Sequence, residues 1–317
     1  MRKSGFLLLM AAALLWAGCR DGRRKLVEAA PLISTTYRDD AGRQFSLADP
    51  PDSVISLAPN ITEMIFAIGA EDRLAARSQA CDYPPAAAML NEIVTYPALD
   101  LEQIQAAGGD LLITTDEIFT PDDIAQLERL GLPIYLQSYD SLADVYRCIR
   151  TLGELLDRRE PARRLADSLQ QIERAVSEAV TAFVKYKTVI LISADPLKVV
   201  GGTGFLNELL VKAGGTNVFA GKPEAYYSTT VEELLQQQPE VMILPSTDPQ
   251  VYAQLIALYP ALYNTPAEVN KQVHTIHPDL LYRPGPRMIE GLAELAHLLH
   301  SSVTPDRFLP GKAEAAE

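Results

Sequence analysis

The segment EPARRLADSLQQIERAVSEAVTAFVKY, residues 160–186, decides how the rest of this sequence is interpreted. Pro161 stands where the first turn of a helix tolerates proline, and apolar residues then recur at steps of three and four. The recurring residues are Leu165, Leu169, Ile172, Val176, Ala179, Val180 and Phe183. The pattern predicts one amphipathic helix, which we call the spine helix and assign to residues 158–187. Roughly 27 residues rising about 1.5 Å each span about 40 Å, enough to join two lobes.

The sequence on either side of the spine helix repeats itself. LEQIQAAGGDLLIT (residues 101–114) precedes it, and VEELLQQQPEVMIL (residues 231–244) follows it. TEMIFAIGA (residues 62–70) and NELLVKAGG (residues 207–215) form a second pair. These pairs predict two related α/β lobes, although any two βα units resemble each other to some extent.

Acidic residues occupy equal positions in the two repeats. Glu102 matches Glu232 in the first pair, and Glu63 matches Glu208 in the second. The offsets within the pairs are 130 and 145 residues. Offsets that are similar but unequal argue for two related lobes rather than for a short-period solenoid.

Strand-like segments alternate with helix-like segments through both repeats, and this alternation favours parallel sheets. The predicted fold class is α/β, with two Rossmann-like lobes joined by the spine helix. We assign the N-terminal lobe to residues 32–157, the C-terminal lobe to residues 188–303 and a tail to residues 304–317, and we expect its last residues, GKAEAAE, to be frayed.

Several shorter features are readable before the spine helix and after it. Ile33 to Leu47 reads as a β-hairpin around a DDAG turn. Residues 54–59, VISLAP, read as a buried strand followed by a helix with Asn60 or Thr62 as its N-cap. The glycine-rich residues 201–204 predict a tight turn before a helix. A nucleotide-binding loop would require a lysine after the glycines, and none follows.

The first residues have the pattern of a bacterial export signal. Residues 1–3 are basic, residues 6–16 are apolar but too few to span a bilayer comfortably, and Ala17-Gly18-Cys19 follows. This ending resembles the lipobox of bacterial lipoproteins, although Trp16 replaces the usual small aliphatic residue. We therefore predict a signal peptide over residues 1–19, lipidation at Cys19 and a flexible tether over residues 20–31. An ordinary secreted cysteine is the alternative.

The net charge of −13 argues against nucleic acid or an anionic lipid surface as a partner. An acidic protein can instead present carboxylates to a basic partner. No later segment approaches 18 unbroken apolar residues, so we expect the lipid to be the only membrane attachment. Cys81 and Cys148 could pair in an oxidising compartment or remain buried thiols, and the sequence leaves both possibilities open.

Enzyme signatures are missing from the sequence, which has no G-x-S-x-G and no H-E-x-x-H motif. An exported α/β hydrolase is therefore the weaker hypothesis. His274-x-x-His277 and His297-x-x-His300 could supply zinc, manganese or haem ligands, but no carboxylate motif completes a metal set. We predict no catalytic residue, no resident cofactor and no bound metal ion.

The ordered set of motifs resembles a known family. A lipobox, a DDAGR-type hairpin, VISLAPNITE, CDYPP, LEQIQAAGGDLLI, a spine helix, GFLNELLVKAGGTNVF, VEELLQQQPEVMIL and RPGPRMIEGLAELA follow one another. Together they resemble, over residues 32–302, the extracytoplasmic solute-binding proteins of ABC importers for ferric siderophores, haem and vitamin B12. CDYPP and TYPALDLE are most similar to the vitamin B12-binding members.

The resemblance implies a function and a location. A monomeric binding lipoprotein on the outer side of a bacterial membrane would hold a metal chelate in the cleft between its lobes, with little hinge motion. It would deliver that chelate, a corrinoid or a ferric siderophore, to an ABC importer permease. A haem receptor and a bare zinc or manganese receptor are the alternatives.

The resemblance also implies roles for individual residues. Ligand-contacting positions of the family fall on Tyr96, Thr115, Tyr226, Asp279 and Arg283. Thr115 stands where vitamin B12 binders carry an aromatic residue, as does Ala80, and both departures weaken the match to cobalamin.

Other positions concern charge. Arg283, Arg287 and Lys198 could answer the negative charge of a siderophore or a haem propionate. The family's permease-docking carboxylates fall on Glu102 and Glu232, one on each lobe, where they would meet permease arginines.

Overall fold

The computed structural model describes residues 34–116 and 118–309. The predicted signal peptide, Cys19 and the tether over residues 20–31 lie outside the described residues. A search of the described part found no helix with both the length and the apolar character needed to cross a membrane.

The N-terminal lobe is a parallel sheet flanked by helices, with a small antiparallel hairpin attached. Its elements are β1 Thr35–Arg38, β2 Gln44–Leu47, β3 Val54–Ser56, α1 Pro59–Ala67, β4 Leu74–Ser78, β5 Asn91–Ile93, α2 Leu101–Ala107, β6 Leu111–Thr115, α3 Pro121–Glu128, β7 Ile134–Gln137 and α4 Leu142–Leu155. The strand order of the sheet is β5-β4-β3-β6-β7, with every pair parallel. The predicted alternation of strands and helices is therefore confirmed here.

The hairpin β1–β2 is held against the lobe by a buried carboxylate. Asp39 accepts hydrogen bonds from the Arg43 guanidinium at 2.7 and 2.8 Å and from the backbone N–H of Leu136 at 3.3 Å. Gly42 has φ +83°, a left-handed conformation that glycine adopts without steric cost. The predicted hairpin is confirmed over its described residues.

Helix α1 begins differently from the prediction. Its N-cap is Ala58, with Pro59 in the first helical position, so neither Asn60 nor Thr62 caps it. Both side chains have other partners: Thr62 donates to the Ser56 hydroxyl at 2.8 Å. Asn60 donates across the crevice to the carbonyl of Pro284 at 3.3 Å.

The spine helix is present as α5, Arg159–Val180, but it is shorter than predicted. Its 22 residues span about 33 Å rather than about 40 Å. The helix ends at Val180 because the following residues join the C-terminal lobe. Phe183 stacks on His300 at 4.9 Å, and the Tyr186 carbonyl accepts a hydrogen bond from the Thr216 N–H at 2.9 Å.

One buried glutamate on the spine helix contacts both lobes. Glu173 accepts a hydrogen bond from the hydroxyl of Tyr146, on α4, at 2.8 Å. It also lies 2.6 Å from the ammonium group of Lys212, in the C-terminal lobe. The spine helix therefore carries a polar connection between the lobes in addition to its apolar face.

The C-terminal lobe follows the spine helix. Its elements are β8 Lys187–Ala194, β9 Leu197–Val200, α6 Gly204–Lys212, β10 Thr216–Asn217, β11 Tyr226–Ser228, α7 Val231–Gln237, β12 Val241–Pro245, α8 Val251–Leu258, α9 Pro266–Val269, β13 Val273–Ile276, α10 Asp279–Tyr282 and α11 Met288–Leu299. The strand order is β11-β9-β8-β12-β13, with β10 beside β8. Strands β8, β12 and β13 run parallel as predicted, but β9 is antiparallel to both β8 and β11. The connection between β8 and β9 is a two-residue turn, too short for a parallel crossover.

The repeats seen in the sequence correspond to repeats in the structure. α2–β6 and α7–β12 match residue for residue, and each helix is followed by a left-handed residue, Gly108 or Gln238. α1 and α6 also match, and each is followed by a glycine with positive φ, Gly69 or Gly214. The two lobes therefore share the same local arrangement of helix and turn, and in the first pair of strand as well.

The apolar core is continuous through the spine helix. A single cluster of buried side chains includes Ile65 of the N-terminal lobe, Val176 of the spine helix and Leu292 of the C-terminal lobe. Cys81 and Cys148 are both buried free thiols, which decides between the two possibilities left open by the sequence.

The chain continues in order beyond the predicted start of the tail. Residues 305–307 form a 3-10 turn, and Phe308 is buried against the core. The predicted tail over residues 304–317 therefore begins too early, because an apolar side chain anchors this stretch.

Candidate functional site

The carboxyl ends of the parallel strands in both lobes face one crevice. In the N-terminal lobe, α1 follows the carboxyl end of β3, and in the C-terminal lobe α10 follows the carboxyl end of β13. A contact between Glu63 of α1 and Arg283, which follows α10, joins these two edges. Open α/β sheets bind ligands at their carboxyl edges. We therefore take the crevice between the lobes as the candidate ligand site.

A cluster of five charged side chains occupies the crevice. The guanidinium of Arg287 forms a two-pronged contact with Glu63, at 2.8 Å from Nε and 2.6 Å from Nη2. Arg283 donates to Glu63 at 3.1 Å and to Asp82 at 2.7 Å. Asp279 lies 3.2 Å from Arg283 and 3.4 Å from Arg287. Glu63 and Asp82 belong to the N-terminal lobe, so the cluster bridges the crevice.

The pKa shifts in this cluster follow from its contacts. The hydrogen bond from Arg283 lowers the pKa of Asp82, although partial burial acts in the opposite direction. Burial alone would lower the pKa of Arg283, but hydrogen bonds to Asp82 and Glu63 outweigh it and raise that pKa. Burial also acts to lower the pKa of Arg287, but the hydrogen bonds to Glu63 outweigh burial and raise that pKa. The arginines and Asp82 are therefore all charged at neutral pH.

Two tyrosines lie beside this charged cluster, and a third lines a space between the lobes. The ring of Tyr83 lies against Arg287, with the guanidinium carbon 4.0 Å from the ring centroid. Tyr226 lines a narrow space of about 40 Å³ between the lobes, together with Tyr139 and Asp140 of the N-terminal lobe. Tyr282 ends α10, and burial raises its pKa to about 12. The crevice thus presents aromatic faces beside fixed charges.

A family model described as periplasmic binding protein matches residues 54–280 of this sequence. The match covers more than half of the chain. The chain belongs to the periplasmic binding protein family.

The relatives of this periplasmic binding protein include vitamin B12-binding proteins. The vitamin B12-binding protein of Vibrio parahaemolyticus is 28% identical over 256 residues, which cover 80% of this chain and 91% of the relative. The crystal structure of the periplasmic vitamin B12 binding protein of Vibrio cholerae has a TM-score of 0.70 at 25% identity, covering 80% of this chain and 98% of that one.

Its fold is also shared by a periplasmic heme binding protein from Pseudomonas aeruginosa. That structure has a TM-score of 0.73 at 24% identity and covers 80% of this chain and 94% of the other. At 24% identity this similarity is evidence for a shared fold only. The fold of this periplasmic binding protein is thus two α/β lobes joined by a helix, with the ligand crevice between them.

The five ligand residues predicted from the resemblance lie in different surroundings. Asp279 and Arg283 are joined by an ion pair at the centre of the crevice. Tyr226 begins β11 at the interlobe space, and Tyr96 follows β5 with 78% of its surface exposed. Thr115, the last residue of β6, is only 3% exposed, so its side chain offers little surface to a ligand.

Residues that the sequence did not single out as ligand-site residues complete the cluster. Glu63 was visible only as a repeat partner of Glu208, and Asp82 and Tyr83 only as letters in the CDYPP motif. Arg287, by contrast, was among the basic residues predicted to answer the negative charge of a ligand. Their convergence depends on contacts across more than 200 residues of sequence, which no local pattern reveals.

The two predicted docking carboxylates occupy equivalent and exposed positions. Glu102 is in the first turn of α2, and Glu232 is in the first turn of α7. Each is the second residue of a seven-residue helix that precedes a parallel strand, so each helix begins at the crevice edge of its sheet. The structure therefore places one exposed carboxylate on each lobe.

The histidines are arranged differently from their spacing in the sequence. His274 and His297 line one cavity of about 750 Å³. This cavity lies at the amino ends of β8, β12 and β13, which is the edge of the sheet opposite the crevice. Among the described residues, no group of three or more histidine, cysteine or acidic side chains has the arrangement of a metal site.

Proposed function

We propose that this periplasmic binding protein captures a corrinoid in the crevice and delivers it to the permease of an ABC importer. The observation that carries the proposal is the Asp279–Arg283 ion pair in the crevice, together with partly exposed tyrosines on the segments that border the crevice. Those tyrosines are Tyr83, Tyr96, Tyr226 and Tyr282. Relatives named as vitamin B12-binding proteins over most of the chain support the same conclusion.

The chemistry of the crevice suits a broad, partly apolar disc. Tyrosine rings supply flat apolar faces, and their hydroxyls can hydrogen-bond to amide groups at the edge of a corrin. Ligand sites in proteins generally combine such aromatic faces with a few placed polar groups. Asp279 and Arg283 would supply these polar groups.

Haem is the second candidate, because a haem-binding structure shares the fold. A haem iron would need a histidine nitrogen with a free lone pair or a tyrosine phenolate. His277 stands near the crevice, but its Nδ1 accepts a hydrogen bond from the N–H of Asp279 at 3.3 Å. The raised pKa of Tyr282 opposes a phenolate. Neither His277 nor Tyr282 is therefore a ready-made haem ligand, and the preference for a corrinoid rests on the vitamin B12-binding relatives.

A ligand screen tests the proposal. The purified full chain is mixed with cobalamin, cobinamide, haemin and several ferric siderophores, and its melting temperature and the ligand absorbance are recorded. A ligand that binds only the folded protein raises stability with the logarithm of its concentration over its dissociation constant. We expect the largest rise with a corrinoid. A rise with siderophores alone, or none at all, would contradict the proposal.

We further propose that Glu102 and Glu232 dock this protein on the permease. A twofold permease would meet one carboxylate from each lobe, and carboxylate–guanidinium contacts favour both register and encounter rate. The support is their equivalent, exposed positions at the start of α2 and α7.

Lipid anchorage through Cys19 is also a proposal, and its support is the sequence alone. A short apolar run ends in Ala17-Gly18-Cys19. The anchor would keep the protein on the outer side of a bacterial membrane. Cells expressing the parent chain should incorporate labelled palmitate into it, whereas Cys19→Ala should not. Equal labelling of the two would refute the anchor.

A further inference from the structure

We infer that Glu63 sets the charge preference of the crevice, because it bridges the two arginines and completes the neutralisation to which Asp82 and Asp279 contribute. With all three carboxylates in place, Arg283 and Arg287 present little net positive charge to a bound molecule. Electrically neutral chelates are then favoured over chelates that carry carboxylates or other anionic groups. The inference rests on the proposed function and narrows the class of ligand.

Both guanidinium groups converge on the single carboxylate of Glu63. Arg287 holds both of its oxygens, and Arg283 donates to Oε1. The Glu63 side chain is only 2% exposed, so water does not screen these contacts. Bidentate contacts between charged groups are among the strongest hydrogen bonds in proteins. The positive charge of each arginine is therefore already paired with a carboxylate of the protein.

The cluster carries more negative than positive charge. Glu63, Asp82 and Asp279 supply three carboxylates against two guanidiniums, which gives a formal charge of −1. A ligand carboxylate that approached Arg283 would have to displace one of these acids or meet its repulsion. A ligand amide can accept a hydrogen bond there without adding charge.

Glu208 is a control position that distinguishes charge neutralisation in the crevice from a simple contact between the lobes. It occupies the repeat position of Glu63 in the C-terminal lobe. Its carboxylate accepts a hydrogen bond from the N–H of Leu142, in the other lobe, at 2.8 Å and lies 3.9 Å from Lys212. Replacing either glutamate by glutamine removes one charge and weakens its contacts across the lobes. The charge removed at Glu63 faces the crevice arginines, and the charge removed at Glu208 faces a lysine.

The test compares the full chain with E63Q, D82N and E208Q. Each is titrated with cyanocobalamin, which is neutral overall, and with haemin, which carries two propionates, at two ionic strengths. We expect the ratio of haemin to cyanocobalamin affinity to rise roughly tenfold in E63Q, where the lost charge is buried. The rise should be about threefold in D82N, because Asp82 is 68% exposed and solvent weakens its effect.

E208Q should leave this ratio unchanged. The gain in haemin affinity of E63Q should shrink at the higher ionic strength, a response that loss of packing alone would not produce. An equal rise in E208Q would overturn the inference, as would an unchanged ratio in E63Q and D82N. If E63Q fails to fold, D82N decides alone.

The outcomes also distinguish a failure of the inference from a failure of the proposed function. A parent chain that binds cyanocobalamin, with an affinity ratio that stays unchanged in E63Q and D82N, would overturn the inference and leave the proposed function standing. A parent chain that binds haemin more tightly than cyanocobalamin would contradict the proposed function. No binding of any chelate, by the parent chain or by any variant, would overturn the proposed function and the inference together.

Discussion

Glu63 and Glu208 occupy the same position on matching helices of the two lobes, yet their surroundings differ. The Glu63 side chain is 2% exposed and holds two arginines, whereas the Glu208 side chain is 33% exposed and contacts a backbone N–H and a lysine. Both reach across to the opposite lobe. The repeated sequence therefore determines where a carboxylate stands, while burial and its partners determine what that carboxylate does.

The largest expected difference between these two positions is in stability. Glu63→Ala leaves two nearly buried guanidiniums without their main carboxylate, and breaking a buried ion pair in this way typically costs roughly 3–5 kcal/mol. Glu208→Ala, at a partly exposed site, should cost about 1 kcal/mol. Urea denaturation of both variants checks this prediction. Equal losses would show that burial does not distinguish the two glutamates.

The second prediction concerns the exposed carboxylates, where the two lobes should behave alike. Glu102→Ala or Glu232→Ala should weaken permease coupling by about 2–5 kcal/mol, because each removes one partner of an interfacial charge pair. Ligand affinity in solution should stay the same. The measurements are uptake or ATPase stimulation by the permease and ligand titration of the free protein.

The Glu102→Ala, Glu232→Ala double variant makes this second test sharper. Exposed Glu128, on α3, provides a matched control as Glu128→Ala, since its known partner is Arg43 of the same lobe. Lost ligand affinity in the double variant, or unimpaired uptake, would show that Glu102 and Glu232 are ordinary surface residues.

The third prediction compares tyrosines inside and outside the crevice. Tyr226→Ala should weaken corrinoid binding by about 1–3 kcal/mol, because it removes an aromatic face from the ligand site. Tyr263→Ala is the matched control, since Tyr263 is similarly exposed but lies between α8 and α9. Titration followed by corrinoid absorbance measures both. Equal affinity of the two variants would remove Tyr226 from the site.

The smallest expected effect is a pH response confined to the C-terminal lobe, which contains all four histidines. Burial lowers the pKa of His300, although a backbone contact with Gly214 acts in the opposite direction. The groups packed around it are Phe183, Tyr186 and Val180, none of them anionic. The folded state therefore favours the neutral imidazole.

The sign of this pH response follows from the lowered pKa. The unfolded chain takes up the proton first, so the contribution of His300 to stability is present above about pH 6.5 and is lost as the pH falls from that value through the lowered pKa of the folded state. Denaturation at pH 7.5 and pH 5.5 should show a smaller pH dependence in His300→Gln than in the parent chain. An identical dependence would remove His300 as its source.

Much of the fold was readable from the sequence because its signals are local. The heptad-like spacing in the spine helix, the matched βα units and the alternation of strands and helices were each confirmed. The antiparallel β9 was missed, since a short run of apolar residues does not show its direction. The end of the spine helix at Val180 was missed because contacts with His300 and Thr216, distant in sequence, set it.

The site was less predictable than the fold. The family resemblance indicated Asp279 and Arg283, and the structure joins them. It did not indicate that Arg283 is shared with Glu63 and Asp82, because that contact crosses the crevice. A linear pattern shows which residue types are present, but not which charges cancel in space.

The glutamate in the middle of the spine helix has a mechanical consequence. Glu173 holds Tyr146 of one lobe and Lys212 of the other, while Glu63 and Glu208 fasten the crevice from either side. Separating the lobes would require these contacts to break while the continuous core is strained. On the proposed function, the residence time of a captured ligand would be governed by the walls of the crevice, and prompt hand-off would require the permease to perform work on the lobes.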